Sequence, residues 1–529
     1  MTSPSALGES PLVRRLRRNL RNCVRIDTRS LAVFRVVMGA LLFADVLLRS
    51  RNFGFYYTDD GVMPQSLAMD MTPDGVFSVF FFTSDPTVIA GLFVLQALVA
   101  IQLIVGYKTR IATILAFLLV ISTDYHNPAV TSYADVLYRL LLFWAIFLPL
   151  GERWSIDAAH ADGPPRASVA GVASALILLQ MFYMYFYNGY HKIEDEIWHT
   201  GEAAPKVLGL DDMTFLAAEY IREFPLLLQL GGATWFIMLL GSGLLIVLVG
   251  RPRMAVVGMF MIGHFSFAIT VRIGAFAFVA MAALVLFLQA QFWTDARRVL
   301  EYANVNVDGI YRRLARVERV ATSVPRLEIA DERYRRAKSG LYTASLVVIV
   351  VSVALVLAAT HTPLGTVGAV DETADSVDDT MSVVNADQPD WTVFAPTPRT
   401  TDRYYVFPAE TADGDRIDVY NERPLTYDRP GQELQKQYGT YRERFYMNSV
   451  RRHANDDRAN GAHVELAEYY CTTWADEHDV ELTHVNMYQV SEDVTLETIT
   501  TPDDRETWTT ELYKHGCGDN EPKEIEPPE

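Results

Sequence analysis

Cysteine is scarce in this chain, with three residues in 529. They do not form the closely spaced pairs that hold a metal ion, and the His-Glu-x-x-His pattern of zinc hydrolases is missing from the sequence. A glycine-rich phosphate loop and the Gly-x-Ser-x-Gly turn of serine hydrolases are missing too. The sequence therefore predicts no metal site and gives no support to nucleotide-dependent or serine-hydrolase chemistry.

Lysine is also scarce, since only 7 of the 46 basic residues are lysine. The formal net charge is −18, and the acidic excess lies after residue 360, where 36 Asp and Glu face 14 Lys and Arg. Such a surface repels phosphate and excludes nucleic acid as a partner. An acidic surface poor in lysine is typical of halophilic proteins. A tail that binds cationic partners also fits this composition.

Hydrophobic residues, in contrast, make up 50% of the chain and fall into long runs. Most of these runs approach the roughly 20 residues that cross a hydrocarbon core of ~30 Å. The runs are 31–49, 88–105, 111–123, 134–150, 168–187, 233–249, 254–272, 275–290 and 341–360. The sequence therefore predicts an α-helical polytopic membrane protein with about nine spans.

The distribution of basic residues predicts the orientation. Seven arginines lie between Arg14 and Arg29, and basic residues recur in every second loop between the runs. Because basic loops remain in the cytoplasm, the amino terminus is expected inside and the carboxyl terminus outside the cell membrane. We expect no cleavable signal peptide, since the basic start runs directly into a full-length span. The predicted parts are a basic cytoplasmic amino terminus (1–30), a membrane bundle (31–290), a basic cytoplasmic connector (291–339), a final transmembrane helix (340–361) and an acidic extracytoplasmic α+β domain (362–529).

Two of the three cysteines, Cys471 and Cys517, fall in the predicted outer domain. A disulfide can persist in an extracytoplasmic compartment. A bridge between them and two separate thiols both fit the sequence.

The segment YNGYHKIEDEIWHTG (187–201) follows directly on a hydrophobic run. It places Lys192 at the mouth of a membrane helix, followed by three acidic residues and Trp198. A lysine in this position can serve as a base if burial removes its charge. It can equally extend to the membrane surface as an ordinary helix-end lysine.

Other ionisable residues lie within or beside the predicted spans. Such groups are costly in lipid and mark functional cavities. By sequence depth, Asp135 and Arg139 fall in the outer half of the membrane, His264 near its midplane, and Arg272 with Lys192 near the outer surface. We therefore expect one outward-facing polar pocket. The alternatives are a structural Asp135–Arg139 pair at i, i+4 and a hydrogen-bonded interhelical His264.

Several motifs resemble those of the vitamin K-dependent gamma-carboxylases and their wider HTTM (horizontally transferred transmembrane) family. They occur in the family's order over some 360 residues of the chain. In addition to 187–201 they are LAVFR (31–35), YTDDG (57–61), GYKTR (106–110), LYRLLLFWAIF (137–147) with WSID (154–157), His264 with IGAF (273–276), and WTVFAPTP (391–398).

The resemblance implies a mechanism. In the carboxylase a deprotonated lysine takes a proton from reduced vitamin K, and by position that lysine is Lys192. His264 is the second catalytic candidate beside Lys192. The resemblance also implies a cavity for a reduced menaquinone, for which Asp135, Arg139, Arg272 and Trp198 are the candidate residues. This chain departs from the animal carboxylase at SYAD (132–135), where Ala134 stands at the position of a histidine.

Two functions therefore follow from the sequence. The first is a carboxylase-like lyase that uses a membrane quinone and acts on an extracytoplasmic protein or small-molecule substrate. The second is a membrane-anchored binding or assembly protein whose bundle holds lipid or quinone without turnover. A buried Lys192 favours the first, and a solvated Lys192 paired with Glu196 favours the second.

Overall fold

A computed structural model describes residues 10–306, 309, 321–326, 332–361, 376–377, 381, 387–456, 458 and 460–526. They form a helical N-terminal region followed by a C-terminal antiparallel half-barrel sheet. Residues 307–308, 310–320 and 327–331 of the predicted connector 291–339 lie outside the described residues. The helices are α1 Pro11–Cys23, α2 Thr28–Ser50, α3 Phe53–Tyr57, α4 Gln65–Asp70, α5 Pro86–Val105, α6 Thr109–His126, α7 Tyr133–Ala145, α8 Ile156–Ala159, α9 Val172–Lys192, α10 Glu196–His199, α11 Ala203–Leu208, α12 Ala218–Arg222, α13 Pro225–Leu240, α14 Leu244–Val247, α15 Arg251–Thr270, α16 Phe276–Leu284, α17 Ala290–Tyr302, α18 Glu332–His361, α19 Tyr441–Asn455 and α20 Ala462–His478.

Five helical stretches in the described chain are long and apolar enough to cross a membrane, and they indicate a multi-pass membrane protein. They are α2, α5, α15, Pro225–Val247 (α13 with α14) and Arg336–Val353 within α18. A sixth results if Phe276–Phe287 and Ala290–Tyr302, which meet at 103°, count as one broken span. Five or six of the nine spans expected from the sequence therefore have a matching candidate helix among the described residues.

Three of the remaining predicted spans correspond to helices inside the bundle. Helix α7 has 13 residues, and most of its side chains are buried. Helix α6 buries Asp124 and His126, and α9 buries Gln180 and Asn188. Polar side chains can be satisfied by neighbouring helices at such positions. These helices are therefore shorter or more polar than a lipid-facing span.

Three of the motifs meet at one end of the bundle. The Arg35 guanidinium donates to the carbonyls of Leu150 and Arg153, both at 3.1 Å. Asp157 accepts from the backbone N–H of Thr109 at 2.8 Å. Gly106 has φ +69°, and a Cβ there would lie 2.6 Å from Arg35 Nη1. Arg35 and Asp157 therefore fasten the helix ends together, and Gly106 leaves room for the guanidinium.

In the bundle, the short strands β1 Ile26–Asp27 and β2 Ser168–Val169 pair with each other. The C-terminal sheet consists of β3 Thr401–Val406, β4 Pro408–Thr411, β5 Arg416–Asp418, β6 Arg423–Pro424, β7 Leu482–Asp493 and β8 Thr507–Gly516. The order is β3-β7-β4-β5-β6, and β8 lies along the other edge of β7. All pairs are antiparallel. The 12-residue strand β7 is thus the centre of the domain.

Helices α19 and α20 pack together, and α20 also packs on β7. Cys471 in α20 forms a disulfide with Cys517, which follows β8. Helix α19 rests on the bundle, where Tyr446 Oη donates to Val62 O at 3.2 Å and Ser449 Oγ to Ala129 O at 3.1 Å. The sheet domain is therefore joined to the bundle by buried polar contacts.

A second contact joins the sheet to the loop between α11 and α12. Asp402 accepts from the backbone N–H of Asp211 at 2.8 Å, and Arg505 Nη1 donates to Asp211 at 3.1 Å. Burial acts to raise the pKa of Asp211. Three guanidinium groups outweigh that effect and hold this pKa below its ordinary value: Arg222, Arg505 and Arg429. The carboxylate form of Asp211 therefore stabilises the contact.

Candidate functional site

One cavity of about 640 Å³ lies between α9, α13 and α15 and below the chain around Trp391. Its walls are mostly apolar, and about half of the lining residues are leucine, methionine or aromatic. Lys192, Trp198 and His264 all line it. The structure thus brings together three of the residues that the sequence selects.

Lys192 is the last residue of α9 and is 1% exposed. Its Nζ donates to Val393 O at 2.5 Å and to Asn188 Oδ1 at 3.0 Å. The same nitrogen lies 4.3 Å from the centroid of the Trp198 ring. Both acceptors are neutral, so Lys192 is held by buried dipoles and an aromatic face.

Two of the three acidic residues after Lys192, Glu194 and Asp195, take other partners. Glu194 is 56% exposed and lies 3.7 Å from the His191 ring. Asp195 accepts from the backbone N–H of Ile197 at 3.0 Å and from the Thr397 hydroxyl. Lys192 Nζ is bonded instead to Asn188 and Val393.

The segment 391–398, here called the cap segment, closes the cavity. Trp391 is 0% exposed and stacks on Tyr133 with the ring centroids 5.7 Å apart. Asn188 Nδ2 donates to Trp391 O at 2.6 Å and to Val393 O at 2.9 Å. Trp198 Nε1 donates to Pro396 O at 2.9 Å. The cap segment is therefore bonded to the same side chains that surround Lys192.

His264 lies on α15 and is 1% exposed. Its Nε2 is 2.7 Å from Tyr185 Oη. Its Nδ1 is also buried and has no hydrogen-bond partner among the described residues. A buried ring nitrogen left in this state is costly. The His264 ring belongs to the cavity lining, whereas Nδ1 itself is enclosed by protein.

Asp135 and Arg139, expected in the same pocket, lie elsewhere. Asp135 Oδ1 accepts from Arg49 at 3.0 Å and from Arg442 at 2.9 Å. Arg139 Nη1 is 3.6 Å from Asp124 Oδ2. These residues belong to an ionic cluster of three arginines and three aspartates: Arg49, Arg139, Arg442, Asp45, Asp124 and Asp135. The expected pocket is corrected accordingly, because these charges neutralise one another away from Lys192.

Arg272 also lies outside the cavity that contains Lys192. Its guanidinium donates to Tyr438 O at 3.1 Å and to Gln435 O. Both carbonyls belong to the chain between β6 and α19. Arg272 therefore connects the end of α15 to the C-terminal domain.

Asn188 and Val393 are contacts that sequence reasoning missed. Asn188 lies four residues before Lys192, so helical periodicity could have placed both on one face. Tyr185 lies on the same helix in an aromatic run (182–187) that fits either the floor of a quinone pocket or an interfacial belt, and the structure places Tyr185 in the cavity lining. Val393 acts through its backbone carbonyl, which no side-chain pattern reveals.

Comparisons with curated proteins and with solved structures gave no significant match. A protein-family model, described as HTTM domain, matches residues 24–293, just over half of the chain. The matched range begins just before α2, includes Lys192 and His264, and ends within α17. This chain belongs to the HTTM family.

Proposed function

We propose that this protein binds a reduced quinone of the vitamin K type in the cavity and uses Lys192 as a general base in modifying an extracytoplasmic substrate. The observation that supports the proposal is one cavity of about 640 Å³ that contains a buried Lys192 and His264 within apolar walls. This volume falls in the range of about 300–1,000 Å³ that is usual for small-molecule sites.

The lining matches the two parts of such a ligand. A reduced quinone has a flat apolar ring, which aromatic side chains such as Trp198 and Phe267 can contact. It also has two ring oxygens, and Lys192 and His264 are the ionisable groups of the lining that would serve them. When bound, it supplies a hydroxyl proton that a base can remove.

The contacts of Lys192 suit a base that gains and loses a proton. A neutral amine has two N–H bonds, which match the oxygens of Asn188 and Val393, and one lone pair that can accept a proton. After transfer, the same oxygens and the Trp198 ring stabilise the ammonium. A lysine can act as a base only when neutral, and burial favours that form.

Carboxylation of glutamate is the less supported part of the resemblance. Ala134 is buried beside Asp135 and the ionic cluster, in a small cavity distinct from the one at Lys192. A methyl side chain cannot donate, accept or carry a proton. The proposal therefore rests on quinone binding and proton removal by Lys192.

We also propose nine spans, with the amino terminus in the cytoplasm and the sheet domain outside. The buried helices α6, α7 and α9 then supply the spans that their hydropathy does not mark. The contacts of the sheet domain at Val62, Ala129 and Lys192 fall in the segments that the basic loops assign to the exterior.

The alternative is a bundle that holds quinone or lipid without turnover, which the alanine at position 134 favours. Both functions require binding, so binding is tested first. Purified protein in lipid nanodiscs is titrated with menaquinone, and bound quinone is measured after separation. Wild type is expected to bind saturably.

The variant His264→Leu should bind about tenfold more weakly, because it removes the imidazole from the cavity lining. Lys206→Ala is the control, since Lys206 pairs with Glu202 at 3.3 Å and does not line the cavity. Lack of saturable binding by the wild type would reject quinone as the ligand, both for the enzyme and for the non-catalytic bundle.

A further inference from the structure

We propose that the cavity opens sideways into the bilayer between α13 and α15, and that its ligand carries a hydrocarbon tail which lies in this opening. The polar head would occupy the end of the cavity near Lys192 and His264. The identity of that head rests on the proposed function, whereas the opening and the tail rest on the observations that follow.

The two helices that frame the opening pack mainly on other neighbours. Helix α13 packs on α9 and α11, and α15 packs on α16. Between them stands the Trp235 indole, whose ring centroid lies 5.4 Å from His264 and 4.9 Å from Phe267. A Cβ on Gly263 would lie 2.6 Å from the Trp235 ring. One aromatic side chain therefore bridges α13 and α15, where Gly263 allows close contact.

On either side of this bridge the cavity lining reaches the outer surface of the bundle. Leu227 and Leu230 of α13 line the cavity and are 59% and 60% exposed. Met259 and Ile262 of α15 also line it and are 47% and 72% exposed. A side chain can both line a cavity and be this exposed only near its mouth. These four residues therefore mark the rim of the opening.

The rim belongs to the lipid-facing surface. Pro225–Val247 and Arg251–Thr270 are both candidate membrane spans. The rim side chains are leucine, isoleucine and methionine, which interact favourably with hydrocarbon. A water-soluble ligand would gain nothing from this route. A ligand with a long hydrocarbon tail can enter from the bilayer and leave its tail between the helices.

The opening is tested by filling it. Leu230→Trp and Ile262→Trp each add bulk at the rim, and Ile237→Trp is the matched control. Ile237 is 67% exposed on α13 and does not line the cavity. Each protein is placed in nanodiscs and titrated with menaquinone and with menadione, which has the same ring without the tail. Thermal melting confirms that each variant is folded.

We expect the rim variants to bind menaquinone about tenfold more weakly, the change that loss of two buried methylene groups produces. Menadione binding should change less than menaquinone binding, and the control should match wild type. If both rim variants bind menaquinone like wild type, the side opening is overturned. An equal loss for both ligands would overturn the placement of the tail.

A second measurement does not depend on quinone. A phospholipid with a photoreactive diazirine in its acyl chain is incorporated into the nanodiscs, and labelled residues are identified by mass spectrometry. Labelling of inner lining residues such as Met238 and Phe276, reduced in the rim variants, supports the opening. Labelling confined to outer residues such as Ile237 and Phe265 overturns it. Inner labelling without quinone binding would support the opening and reject the proposed function.

Discussion

The ionic cluster shows how single charged residues are accommodated in this bundle. Arg49 and Arg442 are both nearly inaccessible, and each is bonded to Asp45 and Asp135. Counted with Arg139 and Asp124, positive and negative groups are equal in number. Buried charges of this kind are tolerated because each has an opposite partner. The cluster joins α2, α6 and α7 to α19.

Replacing Arg442 tests this role. Arg442→Ala leaves Asp45 and Asp135 with fewer partners, and removing one member of a buried ion pair costs about 3–5 kcal/mol. We expect a clearly lower melting temperature in detergent. The control is Arg458→Ala, because Arg458 is exposed. Equal melting temperatures for Arg442→Ala and the control would contradict a structural role for the cluster.

The residue level also shows what the sequence could and could not predict. Lys192 stood out because the segment around it is local and unusual. Asp135 and Arg139 stood out as charges in an apolar run and are both buried, but their partners could not be deduced. Arg442, which bonds to Asp135, lies 307 residues further along the chain. Charge alone does not distinguish a neutralised cluster from a reactive site.

Among the elements, the cap segment has the largest effect on the candidate site. It belongs to the C-terminal part of the chain, yet Trp391 packs in the hydrophobic core of the bundle. Its carbonyls accept hydrogen bonds from Asn188, Lys192 and Trp198. The lysine is therefore buried by a segment that lies outside the matched HTTM range.

Trp391→Ala tests the cap segment. Truncating a fully buried tryptophan costs about 3–5 kcal/mol, and the loosened segment should expose Lys192 to an amine-reactive reagent. The modified fraction of Lys192 is measured by mass spectrometry. Trp508→Ala is the matched control, since Trp508 is 43% exposed. Unchanged reactivity of Lys192 in Trp391→Ala would show that the cap segment does not bury the lysine.

The helices show a similar division between what was and was not predictable. Apolar runs predicted α2, α5 and α15, which are candidate membrane spans, because composition alone marks such helices. Helix α7 was also expected, but its 13 residues are too few to be recognised as a span by length. The length and polarity of a helix surrounded by protein depend on the neighbouring helices that bury it, which its own composition does not show. The cap segment motif was noticed in the sequence, whereas its return to the bundle depends on tertiary contacts.

At the scale of the whole molecule, the contact around Asp211 helps to hold the sheet domain on the bundle. Asp211→Asn leaves Arg222, Arg429 and Arg505 without this carboxylate, so we expect a loss of about 3–5 kcal/mol near neutral pH. Because the pKa of Asp211 is lowered in the folded protein, its contribution is complete above the unfolded value of about 3.9. This contribution to stability is lost as the pH falls through the lower pKa that Asp211 has in the folded protein.

The difference in melting temperature between wild type and Asp211→Asn should therefore be constant near pH 7 and shrink below about pH 4. Asp503→Asn, at an exposed aspartate, serves as the control. A difference that stays the same from pH 7 to pH 3 would contradict the assignment of the effect to the Asp211 charge.

The orientation of the molecule is a separate prediction. Since the proposed final span places the sheet domain outside, protease added to intact cells should remove it. The cleaved fragment is followed with an epitope tag at the carboxyl terminus, and a cytoplasmic protein shows that the cells remain closed. Protection equal to that of the cytoplasmic control would reverse the proposed orientation.

The central claim is that Lys192 acts as the base toward a bound quinone. The most direct measurement is the oxidation of reduced menaquinone by purified protein supplied with oxygen and labelled bicarbonate, with Lys192→Ala compared with Lys206→Ala. Loss of a general base lowers rates by about 10²–10⁴-fold, so we predict at least a hundredfold loss for Lys192→Ala and none for Lys206→Ala. Oxidation by Lys192→Ala at the wild-type rate would contradict the claim, and binding without any oxidation by the wild type would establish the non-catalytic function instead.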